Sequence, residues 1–200
     1  VLLAATVFPC AGYAQEAERV EITPFAGVRV GGGFQDDVTS TELEIDPSAS
    51  YGLMLDFPWE TGTQLEIYLS RQTTDVEAEV ATPGAPDFGL HVEYYHIGGT
   101  VMLEKFRNFE TYLVATVGAT RLDPSGSTLD SEIRGSLSIG LGSKYPFSER
   151  LKLRMEGRVF VTAMDSDSSI FCNLPGSCLI TVESDTLVQW EALLGLTFAF

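Results

Sequence analysis

Twelve ionisable residues stand where alternating, period-two runs put their polar side: Glu21, Arg29, Asp56, Glu66, Glu93, Arg134, Lys144, Lys152, Arg154, Glu156, Arg158 and Glu191. Six are acids and six are bases. If one interior encloses them, they must pair, because an unpaired buried charge costs several kcal/mol. Such a set supports two kinds of chemistry. One is a permanent ion-pair plug; the other is a gate, in which Arg and Glu partners exchange and open a narrow ion path.

The other reactive side chains are sparse. His91 and His96 are the only histidines, and no Ser or Thr sits two residues from either one. A general base without a nucleophile in reach is a weak start for catalysis. Cys172 and Cys178 flank Asn173-Leu174-Pro175-Gly176-Ser177, whose Pro-Gly turn can bring two sulfurs together. In an oxidising compartment they are expected to form a disulfide, worth about 2 kcal/mol for so small a ring. Two thiolates without a nearby histidine are poor ligands for zinc. Asp165-Ser166-Asp167-Ser168 only begins the Asp-x-Asp-x-Asp-Gly spacing of a calcium loop. No metal and no cofactor is expected.

The elements that must position these groups are strands. Period-two alternation runs through about 20–33, 50–57, 63–73, 89–102, 111–122, 132–144, 151–164 and 187–200. No stretch carries a helical stripe, and no window reaches the 18 apolar residues of a membrane helix. Connections alternate in length. Pro58–Gly62, Glu104–Glu110 and Tyr145–Arg150 are short, whereas 34–49, 74–88, 123–131 and 165–186 are long and polar. Leu65, Ile67 and Leu69 oppose Gln64, Glu66, Tyr68 and Ser70. Leu151, Leu153 and Met155 oppose Lys152, Arg154 and Glu156, and only Leu193 breaks the pattern of the last run.

Charge is segregated as well. The long connections, counted with the adjoining Glu132, hold sixteen acids and no Lys or Arg, enough to account for the whole formal net charge of −16. Phosphate-rich nucleic acid is excluded as a partner on that ground. The acidic loops are expected to repel, or to hold divalent cations or cationic peptides loosely. Residues 1–14, uncharged and closing on Gly12-Tyr13-Ala14, read as the apolar part of a secretory signal peptide, with 15–200 as the exported chain.

An even number of alternating runs, joined in turn by short and long connections, is the up-and-down pattern of an outer-membrane barrel. The closing Gly195-x-x-Phe198-x-Phe200 resembles the C-terminal signal read by the barrel-assembly machinery. Ile22-Thr23-Pro24-Phe25-Ala26-Gly27 resembles the first strand of many small outer-membrane barrels. The chain therefore resembles the eight-stranded class, the OmpA-type membrane domain and the OmpW-like proteins. The fold that resemblance implies is all-β, an eight-stranded antiparallel up-and-down transmembrane β-barrel in the outer membrane of a Gram-negative bacterium. The twelve polar-side charges then belong to the lumen. Arg71 and Arg121 fall on the outward parity near the loops, where they are expected to meet lipopolysaccharide phosphates. Trp59, Tyr94, Tyr112, Trp190, Phe198 and Phe200 become candidates for aromatic girdles. The expected role is non-enzymatic, in envelope integrity or surface interaction. A narrow pore, or a transporter of small molecules, hydrophobic ones among them, is the alternative, and a lipid-modifying or proteolytic barrel with His91 at its rim comes third.

Overall fold

The computed structural model describes residues 19–35, 42–78, 88–106, 109–125, 131–164, 169–174, 177–181 and 186–200. The expected signal peptide, 1–14, lies outside the described residues. In chain order the strands are β1 (Glu21–Val30), β2 (Gly33–Gln35), β3 (Glu42–Ile45), β4 (Ser48–Glu60), β5 (Thr63–Ala78) and β6 (Phe88–Phe106). They continue as β7 (Phe109–Ser125), β8 (Glu132–Pro146), β9 (Leu151–Ala163), β10 (Ser169–Leu174), β11 (Ser177–Thr181) and β12 (Thr186–Ala199).

Eight of these close on themselves. Antiparallel pairing runs β1-β4-β5-β6-β7-β8-β9-β12 and returns to β1, so the wall leaves no open edge. Closure matters because a bilayer offers no water to unpaired backbone groups. The end of the chain is held in the same way: the Ala199 amide donates to the Arg150 carbonyl at 2.9 Å and the Phe200 amide to Val20 at 3.0 Å. The sequence runs anticipate all eight wall strands. They do not anticipate β2 and β3, which extend the sheet beside β5, or the separate β10–β11 hairpin. The register of that hairpin sets Cys172 opposite Cys178.

Alternation sorts the side chains. Ile97, Val101, Leu113, Val117, Leu137, Ile139, Leu141, Leu194 and Leu196 face outward and are exposed. Residues one step away along the same strands are buried inside. Leu193, the exception in the last run, fills interior space beside Gly27, where a side chain would meet Leu193 Cβ at 3.0 Å.

The strands change polarity toward the long connections of β5, β6 and β7. Below that level the outside is apolar and the inside polar. Above it, Leu90, Val92 and Leu122 are buried inside while Arg71, His91, Arg121 and Asp123 lie on the outside. A strand in lipid shows apolar side chains outward, and one in water hides them. The reversal therefore marks where the wall leaves the hydrocarbon. It falls between the outward row Leu69–Tyr95–Ala119 and the row above it, Arg71–Glu93–Arg121.

Inward glycines make room for the large lumen side chains. A Cβ on Gly142 would lie 2.2 Å from the Tyr112 hydroxyl, which crosses that position to reach Glu156. Gly135 faces outward with nothing within 4 Å. Gly142→Val is expected to destabilise the barrel by about 1–3 kcal/mol through overpacking, and Gly135→Val to leave it unchanged. Urea midpoints of the two variants refolded in lipid vesicles check this. The electrophoretic shift between unheated and boiled samples confirms that each has folded.

Candidate functional site

The lumen is filled in layers. At the end of the short turns, Lys152 bridges Glu21 at 3.0 Å and Glu110 at 3.2 Å. Lys144 pairs with Glu21, reaches Asp56 at 3.9 Å and donates to Gln64 Oε1 at 3.0 Å.

Above this lies the central knot. Arg154 of β9 spans the lumen to Asp56 of β4 at 2.7 Å and Glu66 of β5 at 2.5 Å, and holds Glu156 at 2.8 Å. Arg158 joins the same two glutamates, Glu66 at 2.8 Å and Glu156 at 2.5 Å. In an eight-strand ring β9 and β5 stand opposite one another, so the Arg158–Glu66 pair crosses the full lumen. Tyr112 donates to Glu156 at 2.7 Å and accepts from Arg154 Nε at 2.6 Å.

A third layer is built on Arg29, which holds Glu191 at 2.7 Å and donates to Ser70 at 2.7 Å. Tyr68 also donates to Glu191. The Arg29 guanidinium lies 4.7 Å from the Tyr94 ring centre and 5.1 Å from that of Phe160. Two of its nitrogens, Nε and Nη1, have no hydrogen-bond acceptor. Those two ring faces supply an attraction that acceptors would otherwise provide. His96 is part of the same filling, sharing hydrogen bonds with Thr116 at 2.9 Å and Ser136 at 2.8 Å.

Ten of the twelve charges expected inside are therefore brought together, and two are placed elsewhere. Glu93 sits on the outer wall, on the same face as exposed Tyr95, between Arg71 and Arg121. The strand-by-strand assignment failed there because the polarity of β6 reverses at Tyr94-Tyr95. Arg134 keeps its inward parity but lies at the loop end, 3.6 Å from Glu132 and apart from the central knot. Glu110 was missed, although its parity with Tyr112 and Val114 placed it inside; the seventh-strand run simply began one residue later. Tyr94 and Tyr112, expected in the girdles, are fully buried lumen residues. Trp59, Trp190, Phe198 and Phe200 are exposed on the outside. Gly195 faces inward against Thr23 and Phe25.

The outer wall carries a second constellation at the loop end. Register aligns three outward rows across β5, β6 and β7: Arg71–Glu93–Arg121, then Thr73–His91–Asp123, then Asp75–Gly89–Ser125. Arg71 and Arg121 each approach one oxygen of Glu93 at 3.5 Å, and Tyr95 donates to Glu93 at 2.8 Å. Arg121 also holds Asp123 at 3.3 Å. The fold brings hydroxyls to His91 that sequence spacing did not: Thr73 at Nδ1, 3.1 Å, and Ser125 at Nε2, 3.4 Å. The partner of Nδ1 is a neutral hydroxyl, and Asp123 turns to Arg121. The set thus lacks the carboxylate that steadies an imidazolium in a serine hydrolase. Among the described residues no group of three or more His, Cys, Asp or Glu side chains is placed to hold a metal ion.

A closed antiparallel barrel with an apolar outer band and a charged filling is the fold of the small eight-stranded outer-membrane barrels, and this chain has that fold. No family model and no curated protein matches it in sequence. Solved structures match it in fold. Neisserial surface protein A does so with a TM-score of 0.63 at 10% identity, over 90% of this chain and 97% of that one. Outer membrane protein OprG of Pseudomonas aeruginosa gives 0.61 at 14% identity, over 92% and 96%. The outer membrane protein AlkL, solved in DMPC lipid bilayers, gives 0.59 at 11% identity, over 100% and 97%.

Removing one partner from the knot exposes its dependence on pairing. Arg154→Met leaves Asp56, Glu66 and Glu156 facing one cation fewer, and is expected to cost about 3–5 kcal/mol. Arg158→Lys keeps the charge but cannot bridge Glu66 and Glu156 with a planar fork, so a smaller loss is expected. Urea unfolding of both variants in lipid vesicles measures the difference.

Proposed function

We propose that this protein is a plugged outer-membrane barrel whose interior is structural and whose work is done at the cell surface, in envelope integrity or surface interaction, without catalysis. The observation that carries this reading is the central knot. Arg154, Arg158, Asp56, Glu66 and Glu156 present side chains with no exposed area, and they tie opposite walls together. An eight-stranded interior is just wide enough for side chains to fill. Opening a path would require several of these pairs to part at once in a low-dielectric space.

The remaining parts fit the same reading. Residues 1–14 would direct export, and Gly195, Phe198 and Phe200 would be read by the assembly machinery. The acids of the long connections would give that end a negative charge, open to loose contact with divalent or cationic partners.

Purified protein in planar bilayers is expected to stay electrically silent across both voltage polarities. Steady single-channel openings would overturn the plug and favour a narrow pore.

A Cys172–Cys178 disulfide is part of the proposal, because the β10–β11 register sets the two residues opposite each other. Mass spectrometry of an unreduced digest is expected to find the linked peptide. Free thiols in protein recovered from an oxidising compartment would refute it.

A further inference from the structure

The twelve Lys and Arg residues are unevenly distributed. Arg29, Lys144, Lys152, Arg154 and Arg158 are spent inside the barrel. Among the described residues, Arg19, Lys105 and Arg150 belong to the end with the short connections, and Arg134 points inward beside Glu132. The long connections carry no base at all. Among the described residues, Arg71 and Arg121 are therefore the two cations that the outer wall offers beside the long connections. They stand in one row, one step above the last apolar row.

Glu93 gives that row its geometry. Two guanidiniums side by side repel; a carboxylate between them, touching each at 3.5 Å, holds them at a fixed spacing. It is itself fixed by the Tyr95 hydroxyl at 2.8 Å. These three side chains carry one net positive charge, which Asp123 of the next row balances from 3.3 Å on Arg121, so the forks rather than an excess of charge are what the row offers. Both side chains stay partly exposed, 41% for Arg71 and 38% for Arg121, and can turn toward an outside acceptor. A phosphate is the acceptor that suits paired planar forks.

The rows above have a different chemistry. Thr73, His91, Asp123, Asp75 and Ser125 are short hydroxyl, imidazole and carboxylate side chains, and Gly89, which has no side chain, lets Ser125 come close. A Cβ on Gly89 would come within 2.9 Å of Ser125 Oγ and 3.6 Å of Asp75 Oδ1. Each row lies ~5 Å further from the hydrocarbon than the one below, given two residues per row and the tilt of a barrel strand. From the bilayer outward the panel thus offers apolar contact, then cationic forks, then hydroxyl and carboxylate groups. An acyl chain, a phosphate and a sugar in that order would match it.

We propose that the outward face of β5, β6 and β7 is a binding panel for a phosphorylated glycolipid of the outer leaflet, with Arg71 and Arg121 on a phosphate and Thr73, His91, Asp123 and Ser125 on sugar hydroxyls. This deepens the surface role proposed above and rests on that end of the barrel facing outward. It does not depend on whether the lumen conducts, so a leaky barrel with an intact panel, or a silent one without it, would separate the two readings.

Native mass spectrometry of the full chain, released from mixed vesicles of lipopolysaccharide and phosphatidylglycerol, tests the panel. Wild-type protein is expected to retain one lipopolysaccharide in preference to phosphatidylglycerol. Arg71→Gln with Arg121→Gln should lower that retention tenfold or more, as should enzymatic dephosphorylation of the lipid. Thr73→Val with Asp123→Asn should weaken lipopolysaccharide retention while leaving that of phosphatidylglycerol unchanged. Heat-shifted electrophoresis verifies the fold of each variant. Undiminished retention in the folded double-arginine variant would overturn the proposal. Equal wild-type retention of both lipids would also overturn it, since the arginines would then be a general anionic-lipid rim.

Discussion

The structure depends on one constraint: charged side chains withdrawn from water must find partners of opposite sign. Arg154 and Arg158 satisfy it by reaching from β9 across the lumen to carboxylates on β4 and β5. Pairing does more than cancel charge. Two guanidiniums and three carboxylates held at 2.5–2.8 Å brace opposite walls of a cylinder whose backbone pairs only neighbouring strands. A lumen filled with apolar side chains could be equally stable, because buried ion pairs repay their desolvation only when the geometry is good. The charged filling also serves the alternation. A strand that is polar inside and apolar outside has only one way to sit in a bilayer, since a slip of one residue would turn arginines into lipid.

The same rule explains why the pattern reverses near the long connections. Once β5, β6 and β7 leave the hydrocarbon, the solvent is outside: their outward side chains turn polar, and on β6 and β7 apolar side chains go in. Leu90, Val92 and Leu122 then pack over the polar lumen like the core of a soluble barrel. Arginines and carboxylates that would be intolerable one row lower become exposed. The height of the membrane is thus recorded in the side chains of three adjacent strands.

That reversal also separates what could be read in the chain from what could not. Stretches such as 63–69 and 151–159 keep one polarity, and alternation there places Glu66, Arg154, Glu156 and Arg158 inside, where the structure has them. In β6 the alternation passes through Tyr94-Tyr95 and changes sense, and Glu93 was assigned to the wrong side. Partner identities were not legible anywhere. Arg29 meets Glu191, 162 residues away, because β1 and β12 close the barrel in that register. Alternation assigns a face but carries no information about cross-lumen reach. The short strands β2, β3, β10 and β11 stayed hidden for another reason: three to six residues are too few to show a period against a polar background.

The two constellations divide the molecule's tasks by dielectric. Inside, full burial makes each pair strong and costly to break, which suits a plug and disfavours exchange of partners. On the outer wall the arginines remain about two-fifths exposed, and their contacts to Glu93 are longer, at 3.5 Å. Screened and longer pairs of this kind contribute little to stability. Arg71 and Arg121 can therefore turn toward another anion at small cost, which the lumen arginines cannot do. The charges that the fold holds most loosely thus lie on its outside, at the level where lipid gives way to water.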